Sequence, residues 1–288
     1  MKQAAVIRTL VILGILNLTI LAVAQAGGAA PGAAQPAGPA APAGKRPPQT
    51  KTQPEYDAWK AAAAMTDAAG AEKSADDFAA KFPDSEVRIL LYKNAMRLYQ
   101  NANNGEKTEA MGRKVLALDG DDPEALVTVA EVIAEKTRDT DMDKEQRYAE
   151  AISMAQKAMT TLDTDLSVPA GTPQDKIDAY KAGVRSQAYS IMGTIQFKKE
   201  NYTAAQEDLQ KSIDAYPSDP SPVDVLRLAL TLDKLQKYPD ALKVANRVVD
   251  MTQKDETGVI GTAARRERDR LQQLTGSAPP AQPAPPKN

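Results

Sequence analysis

The 288-residue chain contains no cysteine and no histidine. Without a thiol there is no disulfide, no thiolate metal site and no cysteine-linked lipid anchor of the bacterial lipoprotein kind. Without an imidazole the usual proton shuttle near neutral pH is missing, and so is every mechanism that needs histidine to activate a nucleophile. Charge of one sign is lacking as well. With 36 Lys+Arg against 38 Asp+Glu, no basic excess draws the chain to nucleic acid or to an anionic membrane surface. A Gly-rich phosphate loop is absent; Gly27-Gly28 sits in a Pro/Ala-rich stretch. These absences predict a non-enzyme with no cofactor and no metal site.

What is present begins with an export signal. Lys2 and Arg8 make a positive start, Leu10 to Ala24 is a mainly apolar run without charge, and Ala22-Val23-Ala24 supplies the small-x-small pattern of a cleavage site. Residues 1–24 are therefore read as a signal peptide, cleaved before Gln25. The alternative is an uncleaved membrane anchor, although the run is short for about 30 Å of hydrocarbon and is interrupted by Asn17 and Thr19. Cleavage removes two positive charges and leaves 34 Lys+Arg against 38 Asp+Glu, a net of −4 in place of −2. The expected location is the bacterial periplasm, the cell envelope or the medium.

Residues 25–54 hold seven prolines and five glycines among alanines, a composition that cannot bury enough apolar surface to offset its ordering entropy. They read as a flexible linker. Residues 276–288, with five prolines, read as a disordered tail.

Between these segments every proline falls where a helix should begin or end. Asp122-Pro123, Thr172-Pro173 and Ser221-Pro222 each put a capping side chain before a proline, whose missing N–H costs nothing in a first turn. Pro83 and Pro217 follow aromatic residues at the ends of apolar-periodic runs. Residues 55–275 are predicted to be all-α.

Three stretches superimpose: Tyr148, Ala151, Ala155, Ala158; Tyr202, Ala205, Leu209, Ser212; and Tyr238, Ala241, Ala245, Val248. Their common offsets of three, seven and ten keep them on one helical stripe. Each is preceded by a helix with an apolar-small pair: Val129-Ala130, Met192-Gly193 and Leu228-Ala229. A glycine or alanine there lets the two helices of a hairpin approach closely. On these residues the chain resembles the tetratricopeptide repeat family, most closely over 186–219 and then 222–253. Intervals between the equivalent alanines 71, 110, 151, 205 and 241 are 39, 41, 54 and 36, so the repeat is irregular.

The resemblance implies stacked antiparallel helical hairpins, a tetratricopeptide-like α-solenoid of about five pairs. Residues 262–275, with four arginines among Glu267, Asp269 and two glutamines, would form a solvated capping helix. It assigns Gly193, Tyr202, Ala205, Leu228, Ala229, Tyr238 and Ala241 to packing between helices. By the same resemblance a protein or peptide partner would lie in a groove lined by Gln187, Ser190, Thr194 and Lys198 of one unit and Leu226, Leu230, Asp233 and Lys234 of the next. The expected function is a protein-interaction scaffold. Its alternative is a membrane-tethered assembly or structural factor of the envelope, with membrane contact only if the N-terminal segment stays uncleaved.

One segment suggests chemistry. Asp139, Asp141 and Asp143, with Glu150 eleven residues after the first, have the offsets of a calcium-binding loop. Such a loop turns on a glycine where this chain has Lys144, and Glu150 falls inside the helix expected from Tyr148. The segment is read as a solvated acidic loop.

Overall fold

A computed structural model describes residues 44–169, 171–254 and 257–276. The segment read as a signal peptide, most of the expected linker and all but the first residue of the expected tail lie outside the described residues. Among those described there are eleven α-helices and no strand: α1 (Gln53–Ala63), α2 (Ala68–Lys81), α3 (Arg88–Asn101), α4 (Gly105–Leu118), α5 (Pro123–Lys136), α6 (Lys144–Thr161), α7 (Gln174–Lys198), α8 (Tyr202–Ala215), α9 (Pro222–Lys234), α10 (Tyr238–Met251) and α11 (Val259–Leu274). None is long and apolar enough to cross a membrane. The first helix begins at Gln53, two residues inside the stretch read as linker.

Helix starts follow the capping chemistry in two of the three expected places. Asp122 accepts from the N–H of Ala125 at 2.9 Å and Ser221 from that of Asp224 at 3.4 Å, each just before a proline that opens the helix. Thr172 does otherwise. Its hydroxyl donates to the carbonyl of Pro169 at 2.8 Å, and α7 starts at Gln174. The hydroxyl closes the preceding turn and leaves the helix uncapped by it.

Three hairpin turns are built alike. Asn103, Glu200 and Gln236 have φ of 53°, 60° and 59°, and each stands two residues before the second helix of its pair. The next residue's N–H bonds five positions back, to Tyr99, Gln196 and Leu232, in each case at 2.9 Å. That left-handed closure satisfies carbonyls the ending helix would leave open. None of the three is glycine, so the local strain is held by the hairpin's packing.

The chain divides into two compact units. Unit 1 holds α1–α5, residues 153–161 of α6 and residues 174–184 of α7. Its core runs through Ala71, Ala75, Phe78, Leu91, Ala95, Met96, Met111 and Val115. Neighbouring helices are also tied by polar bonds. On α2, Glu72 and Asp76 stand one turn apart. Each takes a tyrosine hydroxyl from α3 (Tyr99 at 2.5 Å, Tyr92 at 2.9 Å) and an ammonium from α4 (Lys107 at 2.9 Å, Lys114 at 2.6 Å). Both tyrosine hydroxyls are pushed up to about 12, Tyr99 chiefly by its bond to Glu72 and Tyr92 chiefly by burial.

Unit 2 holds residues 144–152 of α6, residues 185–198 of α7 and α8–α11. Its core is Leu209, Ile213, Val225, Leu228, Ala229, Leu232, Ala241, Ala245, Val248, Ala264 and Leu271. The small residues of the stripes, Ala205, Ala241, Ala245 and Ser212, are fully buried. Small side chains let the α-carbons of facing helices come close, and larger ones fill the gaps between. Of the packing residues expected from sequence, Gly193 lies against Leu209, and Ala205, Leu228, Ala229 and Ala241 are core. Tyr202 and Tyr238 are half-buried at the starts of α8 and α10. The Tyr202 ring stands edge-on to Phe197, with centroids 5.7 Å apart. Each unit is thus a stack of helical hairpins.

Candidate partner-binding surface

In unit 2 the first helices of two successive hairpins, α7 and α9, are joined by side-chain hydrogen bonds. The Ser190 hydroxyl donates to Asp224 Oδ1 at 2.6 Å, and Arg227 Nη1 donates to Thr194 Oγ1 at 2.7 Å. Ser212 on α8 donates to the other Asp224 oxygen at 2.8 Å. Asp224 is 1 % exposed. Its position in the first turn of α9 lets the open N–H groups of the helix start offset part of the cost of burying the charge.

This network redistributes the eight groove residues expected from sequence. Gln187, Ser190, Thr194 and Leu226 are buried, at 3, 8, 2 and 7 % exposure. Ser190 and Thr194 face inward because their hydroxyls find partners on α9; the spacing placed them on a row but could not say what the row meets. Lys198 is half-buried at the end of α7 and donates to the Thr137 carbonyl at 3.2 Å. Asp233 accepts from Arg270 of α11 at 2.5 Å. Leu230 is half-buried and Lys234 exposed. Of the eight, Lys234 is thus the most accessible, with Leu230 and Arg227 one and two turns before it on α9 and Asp233 beside it paired to Arg270.

In unit 1 the corresponding first helices carry a cluster that the sequence reading missed. Lys93 Nζ reaches Asp122 at 2.7 Å and Glu124 at 3.0 Å. Arg97 holds both oxygens of Glu124, at 2.5 and 2.7 Å. Burial opposes charge on Lys93, Arg97 and Glu124, but the mutual attraction wins. It holds the Glu124 carboxyl well below the usual carboxylate range, through Arg97 first and Lys93 next. Lys93 is held above the ordinary lysine range by Asp122 and Glu124. Burial, and then the charge on Glu124, pushes the nearby Tyr180 hydroxyl up. The available signal was a Lys and an Arg four residues apart on α3, with two acids opening α5. Two cations meeting two carboxylates make a locked, neutral joint rather than an open anion site.

The acidic loop of unit 2 has a geometry of its own. Helix α6 starts at Lys144, so Glu150 lies inside it, and Asp141 turns back to accept from the Arg138 N–H at 2.9 Å. Carboxylates committed to a turn and a helix cannot converge on one cation. Calcium up to millimolar levels is expected to leave the melting temperature unchanged. A rise seen in the native chain but not in an Asp139→Ala, Asp141→Ala double variant would overturn this reading. Among the described residues no group of three acids is placed to hold a metal ion.

The fold and this surface define a helical-hairpin repeat protein with polar joints between its first helices. No protein-family profile and no curated protein sequence matches the chain. Among solved structures it is similar to the assembly chaperone of RpL4 (Acl4), residues 1–338, at 12 % identity and a TM-score of 0.41. The match covers 77 % of this chain and 98 % of that one. A likeness at that level carries no argument about what this chain binds.

Proposed function

We propose that the chain is a non-catalytic scaffold that holds a protein or peptide partner, as members of the tetratricopeptide family that its hairpins resemble do. The observation that carries this reading is the direct bonding of α9 to α7 through Ser190–Asp224 and Arg227–Thr194. It fixes the first helices of successive hairpins to one another, and a rigid surface loses little entropy on binding. An exposed cation beside a half-buried leucine can orient an acidic or carboxylate-bearing segment. Lys234→Glu is the test. An exposed substitution there should change stability by no more than about 0.5 kcal/mol and should weaken capture of an acidic partner. A folded variant that keeps every partner would move the surface elsewhere.

The location belongs to the same proposal: export, cleavage before Gln25 and release into the periplasm or medium. The apolar run Leu10–Ala24 also supports a second reading, in which the segment stays in the membrane and tethers an envelope assembly factor. Sequencing the mature N-terminus decides. Gln25 or Gly27 supports release, and intact Met1 supports the tether.

A further inference from the structure

Unit 1 carries an edge on which successive connections between hairpins each present an acid. Asp84 and Glu86 lie between α2 and α3, Asp119 and Asp121 between α4 and α5, and Asp165 between α6 and α7. A basic, proline-containing stretch of the chain itself lies along this edge. Lys45 Nζ bonds Asp119 at 2.7 Å and stands 4.0 Å from Asp165. Arg46 Nη2 bonds one Glu86 oxygen at 2.9 Å, and the Gln49 N–H bonds the other at 3.2 Å. Lys51 Nζ donates to the Asp84 carbonyl at 3.1 Å. Pro47 and Pro48 have no N–H to donate, and between them and α1 only the Gln49 and Lys51 amides are used.

The contact is complementary in charge yet loosely held. Lys45 and Arg46 side chains remain 45 and 61 % exposed, and ion pairs at such exposure contribute little and are screened by salt. The segment also fills its site incompletely. A cavity of about 380 Å³ remains beside it, with Pro48, Ile89 and Leu118 among the charged groups in its wall. Leu118 is 40 % exposed, one of few large apolar side chains left so open. Glu86 is held below its usual range, first by its bond to Arg46 and then by the Gln49 amide.

We infer that this edge is a binding site for a basic, extended, proline-containing segment of a partner protein, and that residues 44–51 are its resident, displaceable occupant. The inference deepens the scaffold reading, and rests on it, by naming a class of partner for unit 1. Pairing along a row of loop acids selects positive charge at intervals. Prolines keep the ligand extended at low entropic cost. The exposed Leu118 in this wall, with the buried Ile89 behind it, favours a ligand with a larger apolar residue beside its basic pair than Pro48 supplies.

The test uses the full chain carrying Lys45→Glu and Arg46→Glu. Charge reversal should detach the segment, so amide exchange at Gln49 and Lys51 accelerates while that of α3 and α5 stays unchanged. A fluorescent peptide of residues 44–52 should then bind the variant about tenfold or more tighter than the native chain, because a tethered competitor has been removed. Its affinity should fall with added salt and with Glu86→Gln plus Asp119→Asn, and rise when leucine replaces the proline corresponding to Pro48. Equal peptide binding to variant and native chain, or binding indifferent to the two acid substitutions, overturns the inference. Partner capture at position 234 of unit 2 reports on the scaffold reading separately. A peptide that fails here while that capture succeeds removes only this inference.

Discussion

Replacing Glu124 with alanine is expected to destabilise unit 1 toward the lower end of the about 3–5 kcal/mol for removing one partner of a buried ion pair, since the Lys93, Arg97 and Glu124 side chains keep 14, 33 and 15 % exposure. The substitution deletes one carboxylate and leaves Lys93 and Arg97, whose ammonium and guanidinium it neutralises at 2.5–3.0 Å, with Asp122 as the remaining acid. Amide exchange across α3 and α5 is the local readout, and urea denaturation gives the magnitude. A pH series separates electrostatics from lost packing. Glu124 titrates lower in the folded chain than its ordinary value of 4.5, so its contribution is fully present above about pH 4.5. That contribution is lost as pH falls toward the folded value. The gap between native and Glu124→Ala chains should accordingly narrow on acidification below about pH 4.5. A gap of less than about 1 kcal/mol at pH 7, as for a surface pair, would contradict the account of this joint.

The second large effect belongs to Gly193→Leu. A Cβ at this position would stand 2.8 Å from Leu209 Cγ and 3.1 Å from Leu209 N. The side-chain atom can shift, but the backbone nitrogen is fixed in α8. Removing a mid-helix glycine favours the helix by about 1 kcal/mol, whereas overpacking typically costs about 1–3 kcal/mol before any backbone separation. Leucine adds three further carbons beyond that Cβ, so the steric term should win and the hairpin of α7 and α8 should open. A melting temperature lowered by several degrees is expected, with partial recovery in a Gly193→Leu, Leu209→Ala double variant, because neighbouring sites couple. An unchanged melting temperature would mean that α7 and α8 are not packed through Gly193.

Much of the fold was legible because it depends on local rules. Pro123 and Pro222 open helices, Phe82-Pro83 and Tyr216-Pro217 close them, and the small residues of the stripes recur at helical offsets. What the sequence hid depends on partners distant along the chain. Ser190 and Thr194 look like surface residues until Asp224 and Arg227, more than thirty positions away, supply their bonds. The Lys93–Arg97–Glu124 joint combines α3 with α5, and no periodicity within either helix announces it. Lys45 and Arg46 sit in a stretch whose composition says linker, yet they meet Asp119 and Glu86, 74 and 40 residues on. Polar residues whose partners are distant can be counted from sequence but not placed.

The central claim, that the accessible end of α9 is where a partner is held, is tested most directly by photo-cross-linking in the cells that make the protein. A photoreactive residue replaces Lys234 in one full-length chain and Lys243, exposed on α10, in another. The account predicts a discrete cross-linked protein from position 234 that is absent or much weaker from position 243. No cross-link from position 234, or the same products from both positions, would contradict it.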